Sequence, residues 1–134
     1  MTKYDFRNYI PMKDEVEQLK DQILTLREQL IAPKNQVITG MPHGGNANKD
    51  KMAEVISRID ELERKYIVKY TALLNECERI EKAIEPLESK ERMLMRYKYL
   101  QGMKWEDVAL EMNYSVENIY KLHGRILLKL KRVQ

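Results

Sequence analysis

The sequence predicts an all-α protein, in which a long N-terminal helical hairpin or coiled coil precedes a compact helical domain. Charged residues make up 34% of the 134-residue chain, and only nine positions are Gly or Pro, a composition typical of long helices. Apolar residues recur at steps of three and four through most of residues 1–85. After Pro86 the pattern changes to short apolar stripes separated by turn residues. We therefore divide the chain into regions 1–85 and 86–134.

The first periodic segment predicts a helix over about 13–31. Pro33 is expected to end this helix, and a loop over about 33–49, rich in Gly, Pro and Asn, is expected to follow. The apolar positions step by three and four residues in turn, as in a heptad seam: Val16, Leu19, Ile23, Leu26 and Leu30.

The second periodic segment predicts a helix over 50–85, with Asp50 as N-cap and Pro86 as terminator. Two successive steps of four around Tyr66 form a stutter, which locally relaxes a supercoil. The seam consists of Met52, Val55, Ile59, Leu62, Tyr66, Tyr70, Leu73, Cys77, Ile80 and Ile84.

The two predicted helices differ in length, about 28 Å against about 54 Å at roughly 1.5 Å per residue. Folded back, the first can cover only about half of the second, so the seam from Leu73 to Ile84 needs another partner. An exposed apolar seam favours self-association, and we expect a homodimer or higher homo-oligomer. In the alternative, an aromatic N-terminal arm covers this seam: Tyr4, Phe6, Tyr9 and Ile10.

The C-terminal third predicts three short helices. The first spans 89–100, with Met93, Leu94, Tyr97 and Leu100 inward, and Gly102 follows at a C-cap position that favours glycine. The second spans 104–112, with Trp105, Val108, Ala109 and Met112 inward. Asn113 and Tyr114 form the turn, and Ser115 is a good N-cap for the last helix. The buried stripe of that helix is expected to contain Ile119, Leu122 and Ile126, continued by Leu127 and Leu130.

A helix, a short turn and a second helix with one basic, exposed side define a helix-turn-helix pattern over about 104–130. The segment 84–131 also resembles region 4 of sigma-70-type factors. The Leu-Pro that often opens that region is Pro86-Leu87 here. The matching positions are Glu91, Arg92, Tyr97, Gly102, Asp107-Val108-Ala109, Tyr114-Ser115, Ile119 and Leu130. The resemblance implies a compact region 4-like domain that binds double-stranded DNA.

The charge distribution agrees with a polyanionic partner for the C-terminal region. Residues 86–134 hold 10 Lys or Arg and 6 Asp or Glu, a net charge of +4, whereas residues 1–85 hold 14 and 15, a net charge of −1. A positive excess confined to the C-terminal third favours contact with nucleic acid there.

Docking of the last helix in a major groove would bring its first residues to the bases. We expect base contacts from Val116, Glu117, Asn118 and Lys121; Asn118 suits adenine, Glu117 cytosine and Lys121 guanine. For Glu117 the alternative is stabilisation of the helix N-terminus. Positions further along, or at the supporting helix, are expected to contact phosphates: Lys104, Ser115, Tyr120, Arg125, Lys129, Lys131 and Arg132.

The heptads of residues 1–85 replace the domain with which a complete sigma factor recognises and melts DNA. The chain is therefore more similar to the RinA- and ArpU-type late transcriptional regulators of phages and to a related uncharacterised family of phages of Gram-positive bacteria, one feature of which is Gly40-Met41-Pro42-His43-Gly44. RNA polymerase is then a candidate second partner. The alternatives are a small terminase-like DNA-packaging protein and a coiled-coil adaptor whose C-terminal domain binds protein.

The sequence does not indicate an enzyme, and we expect no cofactor and no metal. The two histidines, His43 and His123, lack partner ligands, and Cys77 lies on the seam, where a core role is expected. Gly44-Gly45-Asn46 lacks the Gly-Lys-Ser/Thr ending of a phosphate-binding loop. With one cysteine, no apolar span of about 18 residues and no signal-peptide core, the chain is expected in the cytoplasm of a bacterial host, away from membranes.

Overall fold

All elements of the computed structural model are helical within the residues that it describes, 3–36 and 45–133. A short 3-10 turn, Lys3–Phe6, precedes two long helices and a group of short ones. The helices are α1 (Tyr9–Gln36), α2 (Gly45–Ile84), α3 (Ser89–Met95), α4 (Trp105–Met112) and α5 (Val116–Val133), and a π-helical turn, Arg96–Leu100, extends α3.

Helix α1 extends beyond the predicted range at both ends. It begins at Tyr9, and Pro11 falls in its first turn, where the missing N–H would have no partner within the helix. The prediction that Pro33 ends the helix is wrong, because α1 continues to Gln36. Pro33 lies in the last turn, so it removes one hydrogen bond near an end where few bonds remain to be lost.

Helix α2 begins at Gly45, five residues before the predicted N-cap, so the assignment of Asp50 as N-cap is wrong. Asn and Gly lower helix propensity without forbidding it, and no proline follows until Pro86. The predicted loop over 33–49 is thus helical at both of its ends. Its middle, which includes the whole segment Gly40-Met41-Pro42-His43-Gly44, lies outside the described residues.

The chain forms two compact units, and residues 14–71 make up one of them. Here α1 and α2 pack through the predicted heptad positions: Leu19, Ile23, Ile59 and Leu62 are buried, and Leu26, Leu30, Val55 and Tyr66 surround them. Ion pairs join Arg27 to Glu63 and Glu15 to Lys69, each at 2.7 Å between N and O. Because early residues of α1 meet late residues of α2, the two helices run antiparallel.

The other unit contains residues 3–13 and 72–133, so it begins well before the boundary that Pro86 suggested. Phe6 of the N-terminal turn is fully buried in the same core as Ile80 and Ile84 of α2. The N-terminal arm therefore covers this part of the seam, which is the alternative to a second copy of the chain. The core contains Phe6, Ile80, Ile84, Leu87, Leu94, Met95, Tyr99, Val108, Ala109, Ile119, Leu122, Ile126 and Leu130.

The segment 89–100 is helical as predicted, but its buried stripe differs. Met93 is exposed, and Met95 and Tyr99 are buried beside Leu94. The change to π-helical hydrogen bonding, seen in the 2.9 Å bond from the Gln101 N–H to the Arg96 carbonyl, alters the side-chain register after Met95. Gly102 then takes the positive φ of 72° expected at its position.

The connection between α4 and α5 has the predicted local chemistry. Asn113 adopts the left-handed conformation, with φ 59° and ψ 43°, and ends α4. The Ser115 hydroxyl accepts a 3.1 Å hydrogen bond from the Asn118 N–H and so caps α5. Val108 and Ala109 of α4 and the α5 stripe of Ile119, Leu122, Ile126 and Leu130 are buried, as predicted.

Candidate functional site

Helix α5 has one buried and one exposed face. Its buried side chains recur at three- and four-residue steps from Ile119 to Leu130 and include His123. The opposite positions, at the same spacing, are exposed: Glu117, Asn118, Lys121, Gly124, Arg125, Leu128 and Arg132. We call Glu117, Asn118, Lys121 and Arg125 the α5 outer face. Since α4 and the core hold the inner stripe, this outer face is fixed in orientation.

The predicted base-contact residues do not all lie on that face. Glu117, Asn118 and Lys121 are exposed in the first two turns of α5, which places them together. Val116 differs, because it is half-buried and packs against the core. Its apolar side chain helps to hold the N-terminus of α5 against the core.

The predicted phosphate-contact residues fall into two groups. Lys104, Arg125, Lys131 and Arg132 have exposed side chains. Within the described residues, neither Lys121 nor Arg125 forms an ion pair, and both side chains are exposed. In the second group, the Ser115 hydroxyl caps α5, the Tyr120 ring lies edge-on to Trp105 with centroids 5.6 Å apart, and Lys129 is ion-paired.

Lys129 contacts a carboxylate that sequence reasoning did not place in the core. Its ammonium donates a 2.7 Å hydrogen bond to Glu91 Oε2, and the Glu91 side chain is only 5% exposed. Glu91 Oε1 also accepts the Glu88 N–H at 3.0 Å, which caps α3. Burial opposes ionisation, but the hydrogen bonds from Lys129 and Glu88 and the charges of Lys129 and Arg125 lower the pKa of Glu91.

A second ion pair joins α2 to the π-helical turn. Arg96 reaches Glu81 through two guanidinium nitrogens, at 2.9 Å and 2.8 Å, and this bidentate hydrogen bonding is the largest cause of the lowered pKa of Glu81. Arg92 donates a hydrogen bond to the Leu87 carbonyl. The Arg96–Glu81 pair holds the helical segment after Pro86 against the end of α2, and the Arg92 bond stabilises the start of that segment.

The rings of Tyr99, Trp105 and His123 lie close together, with the Lys98 ammonium beside them. The Trp105 ring lies edge-on to His123 with centroids 4.7 Å apart, and the Lys98 ammonium lies 4.5 Å from the Trp105 centroid. The Tyr99 hydroxyl and His123 Nε2 are 2.8 Å apart, and burial raises the pKa of Tyr99 despite the nearby charge of Arg7. Trp105 is half-buried and His123 is buried, which agrees with packing roles for both.

Neither a metal site nor a reactive thiol is evident among the described residues. No group of three or more His, Cys, Asp or Glu side chains there could hold a metal ion. Cys77 is half-buried, and burial, followed by the charge of Glu81, raises the pKa of its thiol. A raised pKa leaves less thiolate at neutral pH, so this cysteine is poorly suited to nucleophilic chemistry. None of the described helices combines the length and apolarity that a membrane crossing requires.

Comparisons with protein-family models, with curated proteins and with solved structures give no match for this chain.

Proposed function

We propose that this protein binds double-stranded DNA through a helix-turn-helix made of α4 and α5, and that it acts as a phage-type transcriptional regulator. The observation that carries the proposal is the α5 outer face, where Glu117, Asn118, Lys121 and Arg125 lie exposed on a helix whose other face is buried. The resemblance of residues 84–131 to region 4 of sigma-70-type factors supports it and supplies the regulatory role.

The proposal assigns two kinds of contact to the outer face. Asn118 and Lys121, close to the capped N-terminus of α5, would contact base edges in the major groove. Arg125, one turn further along, and Lys131 and Arg132 at the end would contact phosphates, as would Lys104 at the start of α4. Lys129 would contribute less, because Glu91 already holds its ammonium.

Substitution on the outer face tests this assignment. Lys121→Ala and Asn118→Ala are each expected to weaken binding to a selected operator by about 1–3 kcal/mol and to relax the base preference. Arg125→Ala is expected to weaken all sequences similarly and to reduce the salt slope by about one. Operators are first selected from random duplexes, and affinities are measured by fluorescence anisotropy at several salt concentrations.

Lys20→Ala is the matched control, because Lys20 is an exposed lysine of α1 in the other compact unit. Its effect on affinity should be within experimental error. Unchanged binding in all three outer-face variants would exclude α5 as the recognition helix. Failure of the wild-type chain to bind any duplex at low salt would contradict the whole proposal and favour the adaptor alternative.

Self-association forms part of the proposal, since a dimer would read two half-sites. Its support lies in the unit of residues 14–71, where Ile67 and Val68 of α2 are 63% and 69% exposed. Light scattering decides the assembly: a dimer agrees with a regulator, whereas a large ring would favour the DNA-packaging alternative. RNA polymerase is proposed as a second partner, and co-purification from a bacterial lysate with and without operator DNA tests that contact.

A further inference from the structure

The unit of residues 3–13 and 72–133 contains a cavity of about 620 Å³ that the proposed DNA contacts leave mostly unused. The N-terminal segment, the π-helical turn, α4 and α5 all contribute to its wall. Among the lining residues are Phe6, Arg7, Lys98, Trp105, Tyr120 and His123. The volume lies within the range of about 300–1,000 Å³ that small-molecule sites occupy. We call it the aromatic–basic cavity.

The polar lining of this cavity has one sign of charge. Arg7 and Lys98 both line it, and its wall, which lies wholly within the described residues, includes no Asp or Glu. Burial is the main cause of the lowered pKa of Lys98; the charge of Glu106, which lies outside the wall, opposes that shift, and the charge of Arg7 adds to it. Two cations in the wall of one concave surface, with no carboxylate in that wall, favour an anion there.

Most of the apolar lining is aromatic, with Ile10 and Leu127 as its aliphatic members, and contacts between the rings hold it in place. Trp105 contacts Tyr120 and His123 edge-on, and His123 is anchored by the Tyr99 hydroxyl at 2.8 Å. The Tyr120 side chain is 50% exposed and lines the cavity, so part of its ring is accessible to another ring. The Lys98 ammonium donates a 3.3 Å hydrogen bond to the Met103 carbonyl, which positions the ammonium beside the indole.

We propose that the aromatic–basic cavity binds a small planar aromatic carboxylate. The ring packs against Trp105 and Tyr120, and the carboxylate is held by the cations of Lys98 and Arg7. Binding at this site does not require DNA, so this proposal is tested independently of the DNA-binding proposal.

Calorimetric titration of the full chain with 2-naphthoate tests the site. A ligand of this size is expected to bind with a Kd of about 1 mM or tighter. Two probes each lack one feature: 2-naphthalenemethanol lacks the charge and acetate lacks the ring, and each should bind at least about tenfold more weakly. The chain has one tryptophan, so the indole N–H signal in a nitrogen-15 correlation spectrum reports on the Trp105 environment.

Two variants locate the binding. Lys98→Met keeps the length of the side chain and removes its charge, and it should weaken 2-naphthoate binding about tenfold while leaving binding of the alcohol unchanged. Tyr120→Ala removes a ring and should weaken both naphthyl probes. Lys82→Met is the control, because Lys82 is exposed and lies outside the cavity. Circular dichroism checks that each variant folds. If Lys98→Met or Tyr120→Ala does not fold, the affinity of the other variant tests the proposal.

Three results would each overturn the proposal. The first is the absence of both heat and an indole shift at about ten times the expected Kd of about 1 mM. The second is equal affinity for 2-naphthoate and for the alcohol. The third is wild-type affinity for 2-naphthoate in both Lys98→Met and Tyr120→Ala.

Discussion

Glu91 is the residue at which local cap chemistry and tertiary packing meet. Its side chain is buried in the unit of residues 3–13 and 72–133, and both carboxylate oxygens accept a hydrogen bond, one from the Glu88 N–H and one from the Lys129 ammonium. A buried carboxylate without such partners would be expected to be protonated or to destabilise the fold. The pair thus joins the start of α3 to the last turns of α5.

Glu91→Gln should lower the free energy of unfolding by about 1–3 kcal/mol at pH 7, because it weakens both bonds and leaves Lys129 without its ion-pair partner. The folded-state pKa of Glu91 is lowered, so its contribution is present at pH values above the unfolded pKa and is lost as the pH falls through the folded one. Urea unfolding of both proteins at pH 7 and at about pH 3 measures this. The difference in the free energy of unfolding between wild type and Glu91→Gln should be smaller at about pH 3 than at pH 7.

Asp60→Asn is the matched control for that experiment. Asp60 pairs with Arg64 at 3.2 Å, but both side chains are well exposed, and such pairs contribute about 0–1 kcal/mol. An effect of Glu91→Gln as small as that of Asp60→Asn, or one independent of pH, would show that the buried pair does not stabilise the fold.

The two described glycines of the C-terminal region should respond to alanine in opposite directions. Gly124 lies inside α5, and an added Cβ would meet nothing within 4 Å, so Gly124→Ala should raise the free energy of unfolding by about 0.5–1 kcal/mol. Gly102 has a φ of 72°, and an added Cβ would lie 3.2 Å from Ile10 Cδ1. Gly102→Ala should therefore lower the free energy of unfolding by about 1–2 kcal/mol. Chemical denaturation measures both, and effects of the same sign would contradict the assigned backbone conformations.

At the scale of elements, the sequence predicted best where local signals agree. The bounds of α3 with its π-helical turn, of α4 and of α5 follow from Gly102, Asn113 and Ser115, each with a specific conformational role. Helix α1 was predicted less well, because prolines in first and last turns are compatible with helix, and their cost depends on position. The start of α2 carried no strong signal beyond Asp50.

The candidate site was predictable in part for the same reason. The exposure of Glu117, Asn118 and Lys121 follows from the helical period that buries Ile119 and Leu122. The pairing of Lys129 with Glu91 could not be predicted, because the two residues are 38 positions apart and no periodic pattern links them. The aromatic–basic cavity could not be predicted either, because Arg7 and Lys98 in its wall are 91 positions apart.

The cap of α5 gives an element-scale prediction. Ser115→Ala removes the acceptor for the Asn118 N–H and should lower the free energy of unfolding by about 1 kcal/mol. Ser57→Ala is the control, because Ser57 is exposed within α2, where alanine is the better helix former and the change should be neutral or slightly stabilising. Thermal unfolding of both variants distinguishes the two cases, and equal effects would mean that the Ser115 hydroxyl does not cap the helix.

At the scale of the whole molecule, the described residues form two separate cores, although α2 is continuous through both units. Helical periodicity identified the seam of α2 but not what covers it. For Leu19, Ile23, Ile59 and Leu62 the partner is the other long helix of the same chain. For Ile80 and Ile84 it includes Phe6, more than 70 positions away, which packs there as a single anchored ring and not as part of a repeating pattern.

The contribution of Phe6 to stability distinguishes two explanations for what covers Ile80 and Ile84: the N-terminal arm or a second copy of the chain. Its ring is fully buried and lies 5.5 Å, centroid to centroid, from Tyr99, so Phe6→Ala should lower the free energy of unfolding by about 3–5 kcal/mol. Leu128→Ala, at an exposed position of α5, should change it by less than about 0.5 kcal/mol. If a second chain covered Ile80 and Ile84 instead, Phe6→Ala would have little effect, and the midpoint of unfolding would rise with protein concentration. Urea titrations of wild type and Phe6→Ala at two protein concentrations about a hundredfold apart measure the free energy of unfolding and the concentration dependence of the midpoint. If the N-terminal arm covers the seam, the variant must lose much of its stability at each concentration.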